Sequence, residues 1–164
     1  MKAIGVDLGG TNIKAAVVDK DKGIIEQVTT PTQANLGREH LLDRISETIS
    51  SLVKMHDIIG IGMGMPGMVS KDQTTVNNPP NLPGWISVNA SEEIHKRTGI
   101  ACKIENDANI AALGSMHFGV GQKFDSFIMI TLGTGVGGGI IYEKKLFKGT
   151  EGMAGELGHV IIDY

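Results

Sequence analysis

Residues 128–142 read IMITLGTGVGGGIIY, and residues 4–18 read IGVDLGGTNIKAAVV. With Ile4 set on Ile128 the pattern repeats: Val6 falls on Ile130, Leu8 on Leu132 and Gly9 on Gly133. Each stretch is an apolar run entering a turn of Gly and Thr, then a second run of small and β-branched residues. That order spells strand, turn, strand. A turn of Gly and Thr leaves backbone N–H groups uncovered, and clustered N–H groups bind phosphate oxygens. The two turns, Gly9-Gly10-Thr11 and Gly133-Thr134-Gly135, point to two jaws closing on one polyphosphate.

Gly133, Gly135 and Gly138 also satisfy G-x-G-x-x-G, but the dinucleotide fingerprint needs a helix opening at its third glycine. Here Gly139, Ile140, Ile141 and Tyr142 follow, and Gly and β-branched residues are poor helix formers. Glu143-Lys144-Lys145 reads as a turn into Leu146-Phe147. A nicotinamide or flavin fold is therefore disfavoured, and the G-x-x-x-x-G-K-[ST] phosphate loop is absent.

The chain has 164 residues, enough for one domain, or one domain and a piece of another. Its 23 glycines are about twice the ordinary share and gather at strand–turn junctions, where backbone bends tightly or approaches a ligand. A net charge of −3 without a basic run argues against nucleic acid or an anionic membrane as partner. Cys102, the single cysteine, sits in an apolar stretch and reads as an inert core residue. It excludes an internal disulfide and any cysteine-based metal site confined to this chain. No apolar run is long enough to span a membrane and no signal-like start is present, so the protein reads as cytoplasmic.

In chain order, Ala3 to Leu8 is the first strand. Asp7 is its only charge and stands before Gly9. It is either a turn aspartate or a carboxylate holding Mg²⁺ through water beside the phosphate nest. Thr11 offers a hydroxyl to phosphate, and Lys14 is either a phosphate contact or a solvated strand lysine. Asp19 to Gly23 reads as a hairpin turn into a third strand, Ile24 to Thr30. Arg38 to Met55 carries Leu41, Leu42, Ile45, Ile49, Leu52 and Val53 on one helical stripe. Ile58 to Met63 is a strand ended by a turn at Gly64, Pro66 and Gly67, where Gly67 permits close backbone approach. It is read either as an ordinary turn residue or as a substrate contact. Asn77 to Trp85, NNPPNLPGW, is a rigid loop that either covers a site or packs its tryptophan. Asn89 to Glu92 looks like a capping box opening a helix that Gly99 closes.

Ala101 to Ile104 is a further strand, followed by Glu105-Asn106-Asp107-Ala108-Asn109 and a helix that stops near Gly119. Asp107 is either a helix-start acid or the acceptor of a proton from a substrate hydroxyl. An ordinary carboxylate can do that in phosphoryl transfer, where orientation outweighs activation of the nucleophile. Asn106, with donors and an acceptor, suits a neighbouring sugar hydroxyl. Glu156 and His159, three residues apart among small residues, fit a solvated loop, a polyol site or part of a metal site.

DLGGT, GMGMPG, ENDAN, LGTGVGGG and AGELGH, in this order, resemble the bacterial ROK-type sugar kinases of the actin/hexokinase/heat-shock ATPase superfamily. The resemblance runs from Asp7 to His159. It implies an α/β fold: a ribonuclease-H-like lobe, a mixed β-sheet flanked by helices, over 1–121, and the opening β-hairpin of a second similar lobe over 122–164. It further implies ATP and Mg²⁺ between the glycine turns and transfer of the γ-phosphoryl group to the 6-hydroxyl of a hexose. Glucose is the first expectation, with N-acetylmannosamine or another hexose as alternatives. By motif match Asp107 is the catalytic base. Asn106, Asp107, Glu156 and His159 hold sugar hydroxyls, and Gly67 is set with the substrate. Gly9, Gly10, Thr11 and Lys14 face the phosphates, with Gly133, Thr134 and Gly135 opposite. Asp7 is the Mg²⁺ residue. Family members are much longer and carry, past the residue matching His159, a cysteine cluster that binds Zn²⁺ with that histidine. The chain therefore reads as the amino-terminal portion of a hexose kinase, inactive alone. Its implied assembly is a homodimer. A sugar-sensing regulator of the same family would place a DNA-binding helix-turn-helix before the first strand, and a strand beginning at Ala3 leaves no room for one.

Overall fold

A computed structural model describes residues 1–133, 135–161 and 163. The chain divides into two compact units, Met1–Glu105 and Asn106–Tyr164.

In the first unit, β1 (Lys2–Leu8), β2 (Asn12–Asp19) and β3 (Gly23–Pro31) form an antiparallel meander. Alternation builds it: Ile4, Val6 and Leu8 point into the core, and Gly5 and Asp7 point away. Asp19 shapes the β2–β3 turn, its Oδ1 accepting from the N–H groups of Asp21 and Lys22 at 3.0 and 3.2 Å. Then come helix α1 (Arg38–Val53) and β4 (Ile58–Met65), which lies parallel to β1. The short strands β5 (Met68–Val69), β6 (Val76–Asn77) and β7 (Ser87–Val88) make a separate small sheet. Helix α2 (Ala90–Thr98) and β8 (Cys102–Asn106) follow, and the main sheet runs β3-β2-β1-β4-β8. It is the expected mixed sheet flanked by helices. Leu41, Leu42, Ile45, Ile49 and Leu52 of α1 are buried in one core with Ile94 of α2 and the inner residues of β1, β2 and β4.

Local chemistry accounts for most of the ends. Asn89 Oδ1 accepts from the N–H of Glu92 at 3.0 Å, and Gly99 closes α2 at φ 73°. Three boundaries differ from expectation by two residues. β4 runs on to Met65, because Gly64 still pairs with Asp7 and Met65 remains a core residue. β8 runs through Asn106 instead of ending at Ile104. α1 ends at Val53, and Met55 is exposed. The loop before β7 is tied down by Leu82 and Trp85, both buried.

The second unit opens with α3 (Asp107–Phe118), followed by β9 (Phe127–Leu132), β10 (Val136–Tyr142) and β11 (Lys145–Leu146). The three strands form an antiparallel sheet with β10 in the middle. Its core is small: Ala112, Met116 and Ile141, with Phe127, Met129, Leu113 and Leu146 packed around them. A β-carbon on Gly139 would lie 2.7 Å from Ala112 Cβ, so glycine in the strand is what lets α3 approach. Glu143 and Lys144 turn the chain at φ 49° and 59°. Positive φ at both central residues is the type I′ condition, and its twist suits a two-residue hairpin. Among the described residues no helix is long and apolar enough to cross a membrane.

Candidate functional site

Each repeated stretch folds as a hairpin, but the turns differ by one residue: the last facing pair is Leu8 with Ile13 in the first and Leu132 with Val136 in the second. β1 ends at Leu8 and β2 begins at Asn12; β9 ends at Leu132 and β10 begins at Val136. In the first turn the N–H of Gly9 donates to Asn12 O at 3.0 Å. In the second the N–H of Gly133 donates to Gly135 O, also at 3.0 Å. A β-carbon on Gly10, Gly133 or Gly135 would meet nothing within 4 Å. The chain itself does not require glycine there by crowding, and each position is open to close approach by a ligand. Thr134 lies outside the described residues.

The first turn is held from behind by a residue the sequence did not single out. Thr32 is fully buried; its hydroxyl donates to Gly9 O at 2.7 Å and its N–H donates to Thr11 O at 2.9 Å. Those bonds fix the carbonyls of the turn. Thr11 and Gly10 are exposed. Asp7 and Lys14 are directly paired across β1 and β2, both exposed on the face away from the core. A single carboxylate beside a phosphate-sized turn fits Mg²⁺ bound through one protein ligand, water and substrate phosphates. Lys14 adds a cation to the same face.

Gly67 adopts φ 93°, and a β-carbon on it would lie 2.7 Å from Pro79 Cα. Its close approach is to the proline loop of its own chain, so any substrate contact falls to its backbone.

The other substrate candidates, Asn106, Asp107, Glu156 and His159, lie in the second unit. Asn106 is the last residue of β8 and also the cap of α3: its Oδ1 accepts from the N–H of Ala108 at 3.0 Å and of Asn109 at 3.2 Å. Capping therefore falls to Asn106, and Asp107 is the first helical residue. Asp107 Oδ1 accepts from the Ala108 N–H at 2.8 Å, and the side chain is exposed. A carboxylate exposed at this place can meet a hydroxyl and accept its proton.

Glu156 precedes and His159 ends a short 3-10 turn, Leu157–His159, with His159 Nε2 3.7 Å from Glu156 Oε2. Glu156 is half-buried and His159 exposed. The pair supplies one carboxylate and one imidazole, short of the four ligands of a structural zinc site. Among the described residues no group of three His, Cys, Asp or Glu side chains could hold a metal. The described residues alone do not complete a zinc site.

Two further polar groups escaped the sequence reading. Glu105 is 4% exposed and accepts from Gln73 Nε2 at 3.1 Å, while Gln73 O accepts from the N–H of Ile104 at 3.0 Å. The buried carboxylate thus joins the β5–β6 turn to the strand that delivers Asn106. Asn109, one turn into α3, is 5% exposed. Nothing in its spacing distinguishes it from a surface asparagine. Burial pushes the Cys102 thiol up to about 12, as expected for an inert core cysteine.

Comparison with known proteins agrees with this architecture. A sequence profile described as "ROK family" matches residues 3–164. A glucokinase of Thermotoga maritima is 39% identical over 99% of this chain and 51% of its own length. A xylose repressor of Bacillus subtilis is 30% identical over 99% of this chain and 43% of its own. The crystal structure of a ROK family glucokinase from Streptomyces griseus, in complex with glucose and AMPPNP, superimposes with a TM-score of 0.91. It is 39% identical, and the match covers 99% of this chain and 51% of that one. The chain spans about half the length of the curated relatives it matches. Its fold is that of the ROK sugar kinases, the ribonuclease-H-like, actin-type ATPase fold. The profile match, the ordered motifs and the shared fold agree: this chain belongs to the ROK family.

Proposed function

We propose that the whole protein is an ATP-dependent sugar kinase that transfers the γ-phosphoryl group to the 6-hydroxyl of a hexose, with glucose as the favoured substrate. Residues 1–121 are its first lobe and 122–164 the start of the second. The observation that carries this reading is the start of α3. Asp107 is an exposed carboxylate on the first helical residue, beside Asn106 and in the same compact unit as Glu156 and His159. Asp107 orients the 6-hydroxyl and accepts its proton as that oxygen attacks phosphorus. Asn106, Glu156 and His159 hold the other hydroxyls. Most of the rate gain comes from stabilising charge on the transferring group. The N–H groups of the two glycine turns and Lys14 carry that on the protein side, and Mg²⁺ beside Asp7 supplies further neutralisation when bound. The glucokinase relatives support glucose.

The repressor relative favours a second reading, a sugar-sensing regulator that binds its sugar without turnover. A coupled assay of ATP consumption with and without glucose or N-acetylmannosamine separates the two. Sugar-dependent ADP release is expected. Replacing Asp107 with Ala in the whole protein should abolish turnover, a loss beyond about 10²–10⁴-fold, while sugar binding stays measurable by calorimetry. Near-normal turnover in that variant would remove Asp107 from the role of base.

A further inference from the structure

Three elements of the second unit meet around β10 with almost no side chain between them. On the helix side, Ala108 and Ala112 of α3 fit into the space left by Gly137 and Gly139. A β-carbon at 137 would lie 3.2 Å from Ala108 Cβ, and one at 139 would lie 2.8 Å from Ala108 O. On the loop side, Gly155 presses on the carbonyl of Gly138 and Gly158 on that of Val136. A β-carbon on Gly138 would in turn lie 2.6 Å from Gly155 O. Helix and loop are thus each fitted to the strand by missing side chains. One carries Asp107 and the other carries Glu156.

Asn109 is the polar residue at which the helix meets the loop. Its Cα would lie 3.3 Å from a β-carbon on Gly139, and its Oδ1 3.4 Å from one on Gly155. The side chain is buried. An alanine would be the better helix former here and would avoid desolvating an amide. The neighbouring contacts at Ala108 and Ala112 are made with methyl groups. Packing alone therefore does not account for an amide at this position.

We propose that Asn109 is a positioning residue for the sugar. Its amide holds the Gly155–Glu156 backbone against the first turns of α3 and so sets the separation of Asp107 and Glu156. This rests on the sugar-kinase reading. The residue touches neither the reacting atoms nor the phosphates, so its effect falls on the hexose and leaves ATP alone.

The test is steady-state kinetics of the whole protein with glucose as the varied probe, for the unaltered protein and Asn109→Ala. A sub-ångström displacement of binding groups is enough to lower kcat/KM by about 10–100-fold. The expected result is that kcat/KM for glucose falls in that range, mainly through a higher glucose KM, with the KM for ATP unchanged. A merely structural asparagine would lower Tm or the active fraction and leave the glucose KM of the folded enzyme where it was, and that outcome overturns the proposal. If Asn109→Ala does not fold, Asn109→Ser, whose shorter side chain cannot reach the loop, is read in the same way. Failure of the unaltered protein to phosphorylate any hexose defeats the kinase reading itself, before the variants are compared.

Discussion

The two glycine hairpins share an apolar pattern but neither a turn register nor an environment. In the first, Ile4, Val6 and Leu8 are buried beneath α1 and Thr32 grips the turn. In the second, the matching Ile128, Ile130 and Leu132 are 59%, 58% and 81% exposed. The hairpin itself is written locally, by the Gly–Thr turn and the alternation of side chains. The fate of its apolar face is not local, because it depends on what other segments lie against it. Similar sequence patterns therefore yield similar hairpins, offset by one residue at the turn, and unequal cores.

Equivalent truncations should expose that difference most strongly. Leu8→Ala in this 164-residue chain should destabilise by about 2–5 kcal/mol, the range for a buried leucine. Leu132→Ala, at the matching place, should stay within about 0.5 kcal/mol. Urea unfolding checks both; equal losses would mean that the second hairpin is buried as deeply as the first. A smaller effect should come from the anchor. Thr32→Val keeps the shape and removes the hydroxyl, leaving Gly9 O without that donor, for a loss of about 1–3 kcal/mol. No change in the unfolding midpoint would show that the turn does not need its clamp. A further effect concerns pH. Burial raises the Cys102 thiol from 9.0 to about 12. A raised folded-state value means that the folded form keeps its proton longer, so this contribution is intact below pH 9 and fades as pH climbs towards 12. Cys102→Ala should flatten the fall in stability over that window in parallel urea titrations. The same fall in both proteins would deny the thiol any part in it.

Much of this was legible in the sequence. Both hairpins, the α1 stripe, the Asn89 cap and the Gly99 stop follow from spacing and from residues with few conformational options. What stayed hidden depended on distant partners. Thr32 is an unremarkable residue after a proline until Gly9, 23 positions earlier, is folded beside it. Gly67 signals close approach without saying that Pro79 is what approaches. Glu105 reads as one more acid in an acidic stretch, yet it is buried against Gln73. Asn106 and Asp107 were both visible as candidate site residues, but both can cap a helix. Only the backbone decides that the asparagine caps and leaves the aspartate's carboxylate exposed.

That division of labour has a mechanical side. β8 ends on Asn106 and α3 starts on Asp107, so no linker residue separates strand from helix. A joint without slack cannot absorb error. An extra residue inserted there would offset α3 from the strand by about 100° of helical turn, so Asp107 and the helix behind it would have to re-seat together.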